Sequence, residues 1–504
     1  MRPLDTIERW LFRLTIGLAA GLLWLAPRLP MVDLPQHAGQ VALWRDLLMG
    51  VSAWTDLVHI NLLTPYLIGY AAMLPLSLVV PIGIATKIVL TLAFLGFVTL
   101  GLMLRRSLQA DPKLDWFLLW GFFGFAFHWG LLTFLVAAPL FFAFILVVRA
   151  QLRQPTFVRG LAVVTAGTLL LFSHGLVFLL GLLVGSMLAL RHVLNNGWRG
   201  LPRVLLPYGV LSGLCVLFRL ATLRLDGAMQ FDHAVYGIPL WQRLSGVLIF
   251  VNAQDNADLR LFALTLVVLC VPWLLRCRLN SGDAWVIIAG LVCVLVAMPA
   301  YAAQTDLLFQ RFSLFLLPCV SLMFRPSERG TKAGARLAAF GLLAVSTWLM
   351  LGIDAERIIG FRTESQPFET VLAAAHPGKR ALALVYDRAS PAAVNEDAYL
   401  HFASWYQAEK HGFVDFNFAI YHPQVVRFQP GRSPDLLQRK GAEPQLFLRL
   451  QDGQRYDYVF VRELQGGEAE ELIRTSPCRY DIAAEERPWV LLERRTCPPD
   501  VSPR

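Results

Sequence analysis

The chain has 504 residues, of which 56% are hydrophobic and 16% are charged, with a mean hydropathy of +0.53. Soluble proteins have a charged fraction near ~25%, so this composition excludes an ordinary soluble protein and predicts one with several membrane spans. Residues 1–353 carry 26 Lys and Arg against 14 Asp and Glu, and residues 354–504 carry 19 against 22. The basic charge therefore belongs to the apolar part, where it marks cytoplasmic loops, and it does not indicate a nucleic-acid partner.

Several apolar runs approach the roughly 20 residues that a spanning helix needs. In chain order the clear candidate spans are 10–29, 82–104, 204–220, 259–275, 284–301, 307–324 and 337–353. Two longer runs, 114–148 and 157–190, are interrupted by FHWGLL at His128 and by FSHG at His174. Each could be one long helix or a hairpin of two shorter ones.

The basic residues beside these runs decide between the two interpretations. They all fall on the cytoplasmic side only if both interrupted runs are hairpins that turn on the outer side. The same rule leaves 62–80, with its three prolines, as a re-entrant or interfacial segment. The prediction is a transmembrane domain over 1–353 with about eleven spans, a cytoplasmic amino terminus and long outer loops at 30–61 and 221–258.

The tail, 354–504, has the pattern of a small extracytoplasmic α/β domain. Its β-type runs and helical segments predict strands at 380–387, 445–450, 456–463 and 489–495 and helices at 365–375 and 396–410. Cys478 and Cys497 are the two cysteines of this tail, and an oxidising compartment would let them close a loop of about 20 residues. The predicted fold class is thus mainly α, a polytopic helical bundle with a C-terminal extracytoplasmic α/β domain.

The first outer loop opens with the segment DLPQH, in which Asp33 lies a few residues beyond the first apolar run. The following residues have an apolar face, which predicts a helix lying flat at the membrane surface. Pro35 is a favoured helix-opening residue and would hold Asp33 in the segment just before the helix. A carboxylate at this place indicates chemistry, although an ordinary helix start is the simpler alternative.

These features resemble the GT-C superfamily of membrane glycosyltransferases, which includes protein mannosyltransferases, oligosaccharyltransferases and aminoarabinose transferases. The resemblance lies in the Asp two residues before Pro in the first outer loop, the juxtamembrane helix, the short central hairpins, the long second outer loop and the soluble tail. It implies a bacterial inner-membrane enzyme that transfers a sugar from a polyprenyl-phosphate donor to a glycan, lipid or protein acceptor on the periplasmic side, where the tail would lie. Asp33 matches the first-loop acid and would be the catalytic general base.

A further set of polar residues would bind substrate. It comprises His37, His128, His174, Arg311, Asp232 and His233. Arg311 would clamp phosphate oxygens, with an interfacial anchor as its alternative. His128 and His174 could bind a metal, hydrogen-bond the leaving phosphate or simply cap helix ends.

The sequence does not identify a cofactor. Many relatives have a second acid at the tip of the next outer hairpin, where this chain has His128, so a divalent metal is a hypothesis without a clear ligand spacing. None of the P-loop, HExxH, GxSxG or CxxC patterns is present. The alternatives to a transferase are a transporter or flippase for a lipid-linked glycan and a non-catalytic envelope protein.

Overall fold

The computed structural model describes residues 3–197, 201–225, 234–253, 258–280, 282–302, 305–328, 330–432, 444 and 455–498. The chain forms two compact units. Unit 1 comprises Met1–Trp24, Pro65–Gly69 and Val89–Ala355, and unit 2 comprises Leu25–Thr64, Tyr70–Ile88 and Glu356–Arg504. The whole of the predicted first outer loop, 30–61, therefore belongs to the same unit as the tail. The extents predicted for the membrane and periplasmic domains, 1–353 and 354–504, stay predictions.

The helices account for most of the described chain. They are α1 (Pro3–Leu22), α2 (Leu34–Leu48), α3 (Leu67–Met73), α4 (Ile82–Leu108), α5 (Phe125–His128), α6 (Leu132–Arg153), α7 (Phe157–Ser173), α8 (Gly175–Asn196), α9 (Leu201–Leu225), α10 (Leu240–Phe250), α11 (Leu259–Leu274), α12 (Asp283–Ala297), α13 (Leu316–Leu322), α14 (Ala333–Glu364), α15 (Gln366–Ala374), α16 (Ser404–Lys410) and α17 (Glu468–Thr475). Short 3₁₀ helices cover Leu76–Leu78, Pro112–Leu119, Gln310–Phe315 and Phe418–Ile420.

The strands are short and most belong to unit 2. They are β1 (Val58–Ile60), β2 (Arg278–Leu279), β3 (Phe324–Arg325), β4 (Arg380–Val385), β5 (Phe413–Asp415), β6 (Val426–Phe428), β7 (Tyr458–Arg462), β8 (Arg479–Glu486) and β9 (Trp489–Thr496). The pairs β1 with β6 and β2 with β3 are two-stranded and antiparallel. The predicted fold class, a mainly helical membrane fold with a C-terminal sheet domain, is confirmed.

Five helical segments of the described chain are long and apolar enough to cross a membrane. They are Ile82–Leu108, Leu132–Arg153, Gly175–Asn196, Leu201–Leu223 and Ala333–Ala374. Shorter apolar helices, among them α7, α11 and α12, accompany them. The total of about eleven spans stays a prediction, and so does the orientation of the termini.

The two interrupted apolar runs have different structures. The run 157–190 is two helices, α7 and α8, broken at His174, whose backbone is extended at φ −165° and ψ 117°. The run 114–148 is not a pair of spanning helices, because a 3₁₀ helix and the four-residue α5 precede the single long helix α6. The predicted hairpin there is wrong: the phenylalanines before His128 fill the interior instead of forming a regular helix.

Two other predicted spans also differ from the structure. The first, 10–29, is shifted, since α1 ends at Leu22. The run 307–324 is a 3₁₀ helix followed by the seven-residue α13, both almost entirely buried. Segment 62–80 contains only α3 and a 3₁₀ turn, so it is not one spanning helix.

The tail contains a five-stranded mixed sheet with strand order β5-β4-β7-β9-β8. Strand β4 pairs in parallel with β5 and β7, and β9 pairs antiparallel with β7 and β8. Leu382, Leu384, Val459 and Val461 form part of the buried core on one face. The predicted strands at 380–387, 456–463 and 489–495 and the helix at 365–375 are confirmed, whereas β5 and β8 were not predicted.

Two further predictions for the tail were a helix at 396–410 and a strand at 445–450. Within 396–410 only Ser404–Lys410 is α-helical, and the residues before it form turns. The predicted strand at 445–450 lies outside the described residues.

The predicted disulfide between Cys478 and Cys497 is present. These cysteines flank the β8–β9 hairpin at the end away from its turn, so the bond closes a loop with a sequence separation of 19. We expect the Cys478→Ser/Cys497→Ser variant to lose about 3 kcal/mol of stability in this sheet, because the unfolded chain regains the entropy of the open loop. Hydrogen exchange at β8 and β9 measures the loss, with Cys293→Ser as the matched control. Equal exchange rates in the two variants would contradict the prediction.

Candidate functional site

Asp33 is the residue immediately before α2, as the position of Pro35 predicted. Its side chain accepts no capping hydrogen bond from the helix, although its backbone carbonyl accepts one from the amide of His37 at 3.1 Å. The side chain is 13% exposed. The carboxylate is therefore not used to cap α2, and it retains access to solvent.

Helix α2 is buried along most of its length. Every residue from Leu34 to Trp44 is buried, and α2 packs on α16, β1 and β6 of unit 2. The prediction of a helix lying flat at the membrane surface is wrong, because the polar residues of α2 have protein partners. Gln40, for example, accepts a hydrogen bond from the amide of Val426 at 3.0 Å.

His401, a residue of unit 2, lies beside the Asp33 carboxylate. Its Nε2 lies 3.6 Å from Oδ1 of Asp33. The backbone N–H of Phe418 donates to the side-chain oxygen of Gln36 at 3.0 Å, which orients the side-chain amide. The amide nitrogen of Gln36 then lies 3.4 Å from Nδ1 of His401. Since Nδ1 then accepts, the proton of the neutral ring lies on Nε2, directed towards Asp33.

The imidazole of His401 is neutral. The ring is buried against Phe416 and Phe418, at centroid distances of 4.9 and 5.3 Å. Burial disfavours the charged form and lowers the pKa of His401 to about 3. Asp33 thus has a neutral hydrogen-bond donor beside it, not a cation.

Because His401 is buried and neutral, we expect the stability of unit 2 to fall in acid. The unfolded chain has a histidine pKa of about 6.5, so between that pH and the folded pKa of about 3 the unfolded state binds the extra proton. Stability is therefore lost as the pH falls through this window. The His401→Phe variant keeps an aromatic ring but has no group that titrates in this range. Between about pH 7.5 and pH 5 we expect its free energy of unfolding to fall by about 2 kcal/mol less than that of wild type. Thermal unfolding at the two pH values tests this, and equal losses would contradict it.

His37 lies one helical turn after Asp33 and belongs to a buried chain of hydrogen bonds. Its Nδ1 is 2.7 Å from the hydroxyl of Tyr70, which in turn donates to Oε1 of Gln424 at 2.5 Å. Nδ1 of His37 therefore carries a proton. The ring of Phe418 packs in a T-shaped arrangement against both His37 and His401.

In unit 1, His128 is the last residue of α5 and is buried. Its Nε2 lies 3.9 Å from Oδ1 of Asp354, a buried carboxylate on α14. Helix α5 packs on the 3₁₀ helix Gln310–Phe315 and begins after Gly124, where a side chain would collide with the backbone carbonyl of Val251. The glycine lets α5 approach the end of α10 and fixes the position of His128.

His174 has the capping role considered for it. Its Nδ1 accepts a hydrogen bond from the amide of Leu176 at 3.3 Å, at the start of α8. The ring packs on Tyr66 and Phe134, at centroid distances of 5.0 and 5.1 Å. Because Phe134 lies in the first turn of α6, His174 lies at the α5 end of that helix.

Arg311 is in the 3₁₀ helix Gln310–Phe315 and is 7% exposed. Its guanidinium donates to the backbone carbonyls of Leu307 at 3.1 Å and Asp306 at 2.8 Å. The neighbouring Phe312 packs on Phe134. Unit 1 therefore gathers Arg311, His128 and His174 at one end of α6, while Asp33 and His37 belong to unit 2.

Asp232 and His233 lie outside the described residues. Among the residues that the structure describes, no three His, Cys, Asp or Glu side chains converge as a metal site. The divalent metal thus stays a hypothesis.

Sequence reasoning missed two residues of these clusters, His401 and Asp354. His401 was within a predicted helix of the tail, and Asp354 was taken as the boundary of the tail. The only sequence signal was the type of side chain, because their partners Asp33 and His128 lie more than 200 residues away in the chain.

The described residues form a mainly helical fold with several helices of membrane-spanning length and a C-terminal sheet domain. The apo crystal structure of ArnT from Cupriavidus metallidurans is similar to this chain, with a TM-score of 0.53 and 12% sequence identity, over 97% of this chain and 98% of that chain. At this identity the likeness shows the fold. No family model matches the sequence, and no curated protein matches it significantly.

Proposed function

We propose that this protein is a bacterial inner-membrane glycosyltransferase that uses a polyprenyl-phosphate sugar as donor. The acceptor is a glycan, lipid or protein on the periplasmic side, and the amino terminus is cytoplasmic. Support comes from the fold shared with ArnT, an aminoarabinose transferase, along nearly the whole chain. Because one fold can host several functions, the proposal depends on the site chemistry.

The observation that best supports the proposal is the environment of the Asp33 carboxylate. In the proposed reaction its carboxylate takes the proton of the acceptor hydroxyl or amine, and the acceptor atom forms the new bond to the anomeric carbon. The bond from that carbon to the phosphate oxygen breaks, and polyprenyl phosphate leaves with the electron pair. A carboxylate that caps no helix, retains solvent access and has a neutral imidazole beside it can accept a proton.

The remaining roles follow from charge and hydrogen-bonding capacity. Arg311 is proposed to stabilise the phosphate, since a guanidinium can hold two phosphate oxygens at once. His37, His128 and His174 are proposed to bind substrate through ring nitrogens, and Asp232 and His233 through the second outer loop. His401 is proposed to position Asp33.

The test is turnover by the purified full-length protein. Polyprenyl-phosphate sugars labelled in the sugar are incubated with the protein and a cell-envelope extract, and both transferred label and released polyprenyl phosphate are measured. The proposal expects the two products in equal amounts. Movement of intact donor between leaflets without release would instead establish a flippase and overturn the proposal.

A further inference from the structure

Unit 1 contains an open cavity of about 360 Å³ between the ends of three helices. It lies where α6 and α8 end and α12 begins, and α8 packs on both of the other helices. The charged residues of its wall are Arg149, Arg153, Arg191 and Asp283, and His192 and two asparagines add polar groups. Within the described part of the chain, the wall therefore has three cations and one carboxylate.

The three guanidinium groups converge through shared partners. Arg149 and Arg153 both donate to the backbone carbonyl of Ser107, at 3.0 and 3.3 Å, and both donate to its hydroxyl at the same two distances. Arg149 also donates to Oδ2 of Asp283, and Nε of Arg191 lies 4.0 Å from Oδ1 of that carboxylate. All three cations therefore surround one small space.

The single carboxylate does not balance these cations. Asp283 is paired with the buried Arg149 and is shared with Arg191 at the longer distance. The hydrogen-bond partners of Arg153 are the carbonyl and hydroxyl of Ser107, and neither of them carries a charge. Three cations against one carboxylate leave two positive charges in the wall. Like charges at this spacing repel each other, and an anion among them would relieve the repulsion.

The side chains of the wall suit a phosphate group. A guanidinium can donate to two phosphate oxygens at once. Arg153 is exposed and Arg191 is half-buried, so both can turn towards a ligand, whereas Arg149 is held by its contacts with Ser107 and Asp283. The exposed amide of Asn195 adds a neutral donor at the same wall.

The cavity lies at one end of the long apolar helices. Helices α6 and α8 are both long and apolar enough to cross a membrane. Along α6, Phe134 and Arg153 are separated by roughly 29 Å at a rise of about 1.5 Å per residue, close to the ~30 Å thickness of a bilayer core. Phe134 packs on His174, so the cavity and the cluster around His174 belong to opposite ends of α6. The last turns of α8 expose Leu190 and Leu194, so apolar surface adjoins the cavity.

We propose that this cavity binds a phosphate group, held by Arg153 and Arg191 with Arg149 behind them. The phosphate belongs to the headgroup of an anionic lipid or to a soluble phosphate monoester, because both present the same oxygens to the guanidinium groups. The excess of positive charge selects a phosphate over an uncharged headgroup. This site is separate from the proposed transfer chemistry and does not depend on it.

The test is calorimetric titration of the delipidated full-length protein in a non-ionic detergent. The probes are dihexanoyl phosphatidic acid, dihexanoylglycerol, which lacks the phosphate, and glycerophosphate, which lacks the acyl chains. We expect Arg153→Gln/Arg191→Gln to weaken phosphatidic acid binding by about tenfold or more, since each cation beside the phosphate contributes attraction. The matched control, Arg276→Gln/Lys332→Gln, removes two exposed cations of the same unit that do not line the cavity and should keep the wild-type affinity.

A second variant should change the affinity in the opposite direction. Asp283→Asn removes the negative charge of the wall but keeps a side-chain oxygen for Arg149. We expect phosphatidic acid to bind about threefold more tightly to this variant, because the phosphate no longer faces a like charge. A variant that had merely lost its fold would bind more weakly.

Each outcome decides the proposal. Weaker binding by the arginine variant and tighter binding by Asp283→Asn support it, and Asp283→Asn decides alone if the arginine variant does not fold. Binding of phosphatidic acid without glycerophosphate would identify a lipid headgroup, and equal binding of the two would identify a soluble phosphate. Equal binding of phosphatidic acid and dihexanoylglycerol, no binding of either phosphate probe, or equal losses in the arginine and control variants would overturn the proposal.

Discussion

Asp33→Asn is expected to lower kcat for sugar transfer by a factor of about 10² to 10⁴, the usual contribution of a general base. Asparagine preserves the size of the side chain and its oxygen beside Nε2 of His401, but it cannot take a proton. KM for the donor should change little, because the substitution removes an interaction needed in the transition state. Initial rates of polyprenyl phosphate release by the two proteins measure the effect.

The matched control is Asp56→Asn, which changes an exposed carboxylate of the same outer loop. It should retain wild-type kcat. A similar loss of kcat in both variants would show that the negative charge of the loop matters and that Asp33 has no special role.

Arg28→Ala is expected to give the largest loss of stability in unit 2. The Arg28 guanidinium is almost fully buried and donates to Glu369 at 2.7 and 3.1 Å and to Glu409 at 2.5 and 2.9 Å. It also lies 4.4 Å from the centre of the Trp405 ring. Removing it leaves two neighbouring carboxylates without their cation, and we expect a loss of about 3 kcal/mol.

Hydrogen exchange of the α15 and α16 amides measures this loss, since Glu369 and Glu409 lie on those helices. Arg28→Lys should recover little, because an ammonium cannot pair with two carboxylates in the fork geometry of a guanidinium. The control is Arg474→Ala, which removes a 78% exposed cation paired with Glu471 and should cost under about 1 kcal/mol. An Arg28→Ala effect no larger than that of the control would contradict the structural role.

Local sequence signals predicted the local structure well. The helix start at Pro35, the break at His174 and the disulfide between Cys478 and Cys497 each depend on residues close in the chain or on composition. Hydrophobic runs were less informative about the type of structure. The run before His128 is as apolar as a spanning helix, yet it is mostly 3₁₀ and irregular, because burial alone does not select a regular helix.

The environment of the candidate site could not be predicted, because it is formed by contacts between residues that are far apart in the sequence. The helix after Asp33 was predicted to lie flat at the membrane surface. In the folded protein Gln36 bonds to Phe416 and Phe418, and Asp46 lies 2.7 Å from Nδ1 of His411. The partner His401 is likewise 368 residues from Asp33 in the chain, and no local pattern connects the two.

His401 also bears on the proposed role of Asp33. Nε2 of the neutral His401 lies 3.6 Å from the Asp33 carboxylate, so this ring adds no positive charge beside it. A carboxylate beside a neutral imidazole is able to accept a proton, as the proposed role of Asp33 requires.

Chemical rescue of Asp33→Ala tests the central proposal most directly. With donor and acceptor bound, single-turnover release of polyprenyl phosphate is followed in the presence and absence of formate, a small carboxylate that fits the space left by the side chain. The proposed role of Asp33 predicts a rate at least about 10² below wild type that rises with formate concentration. Wild-type release by Asp33→Ala without formate would contradict it.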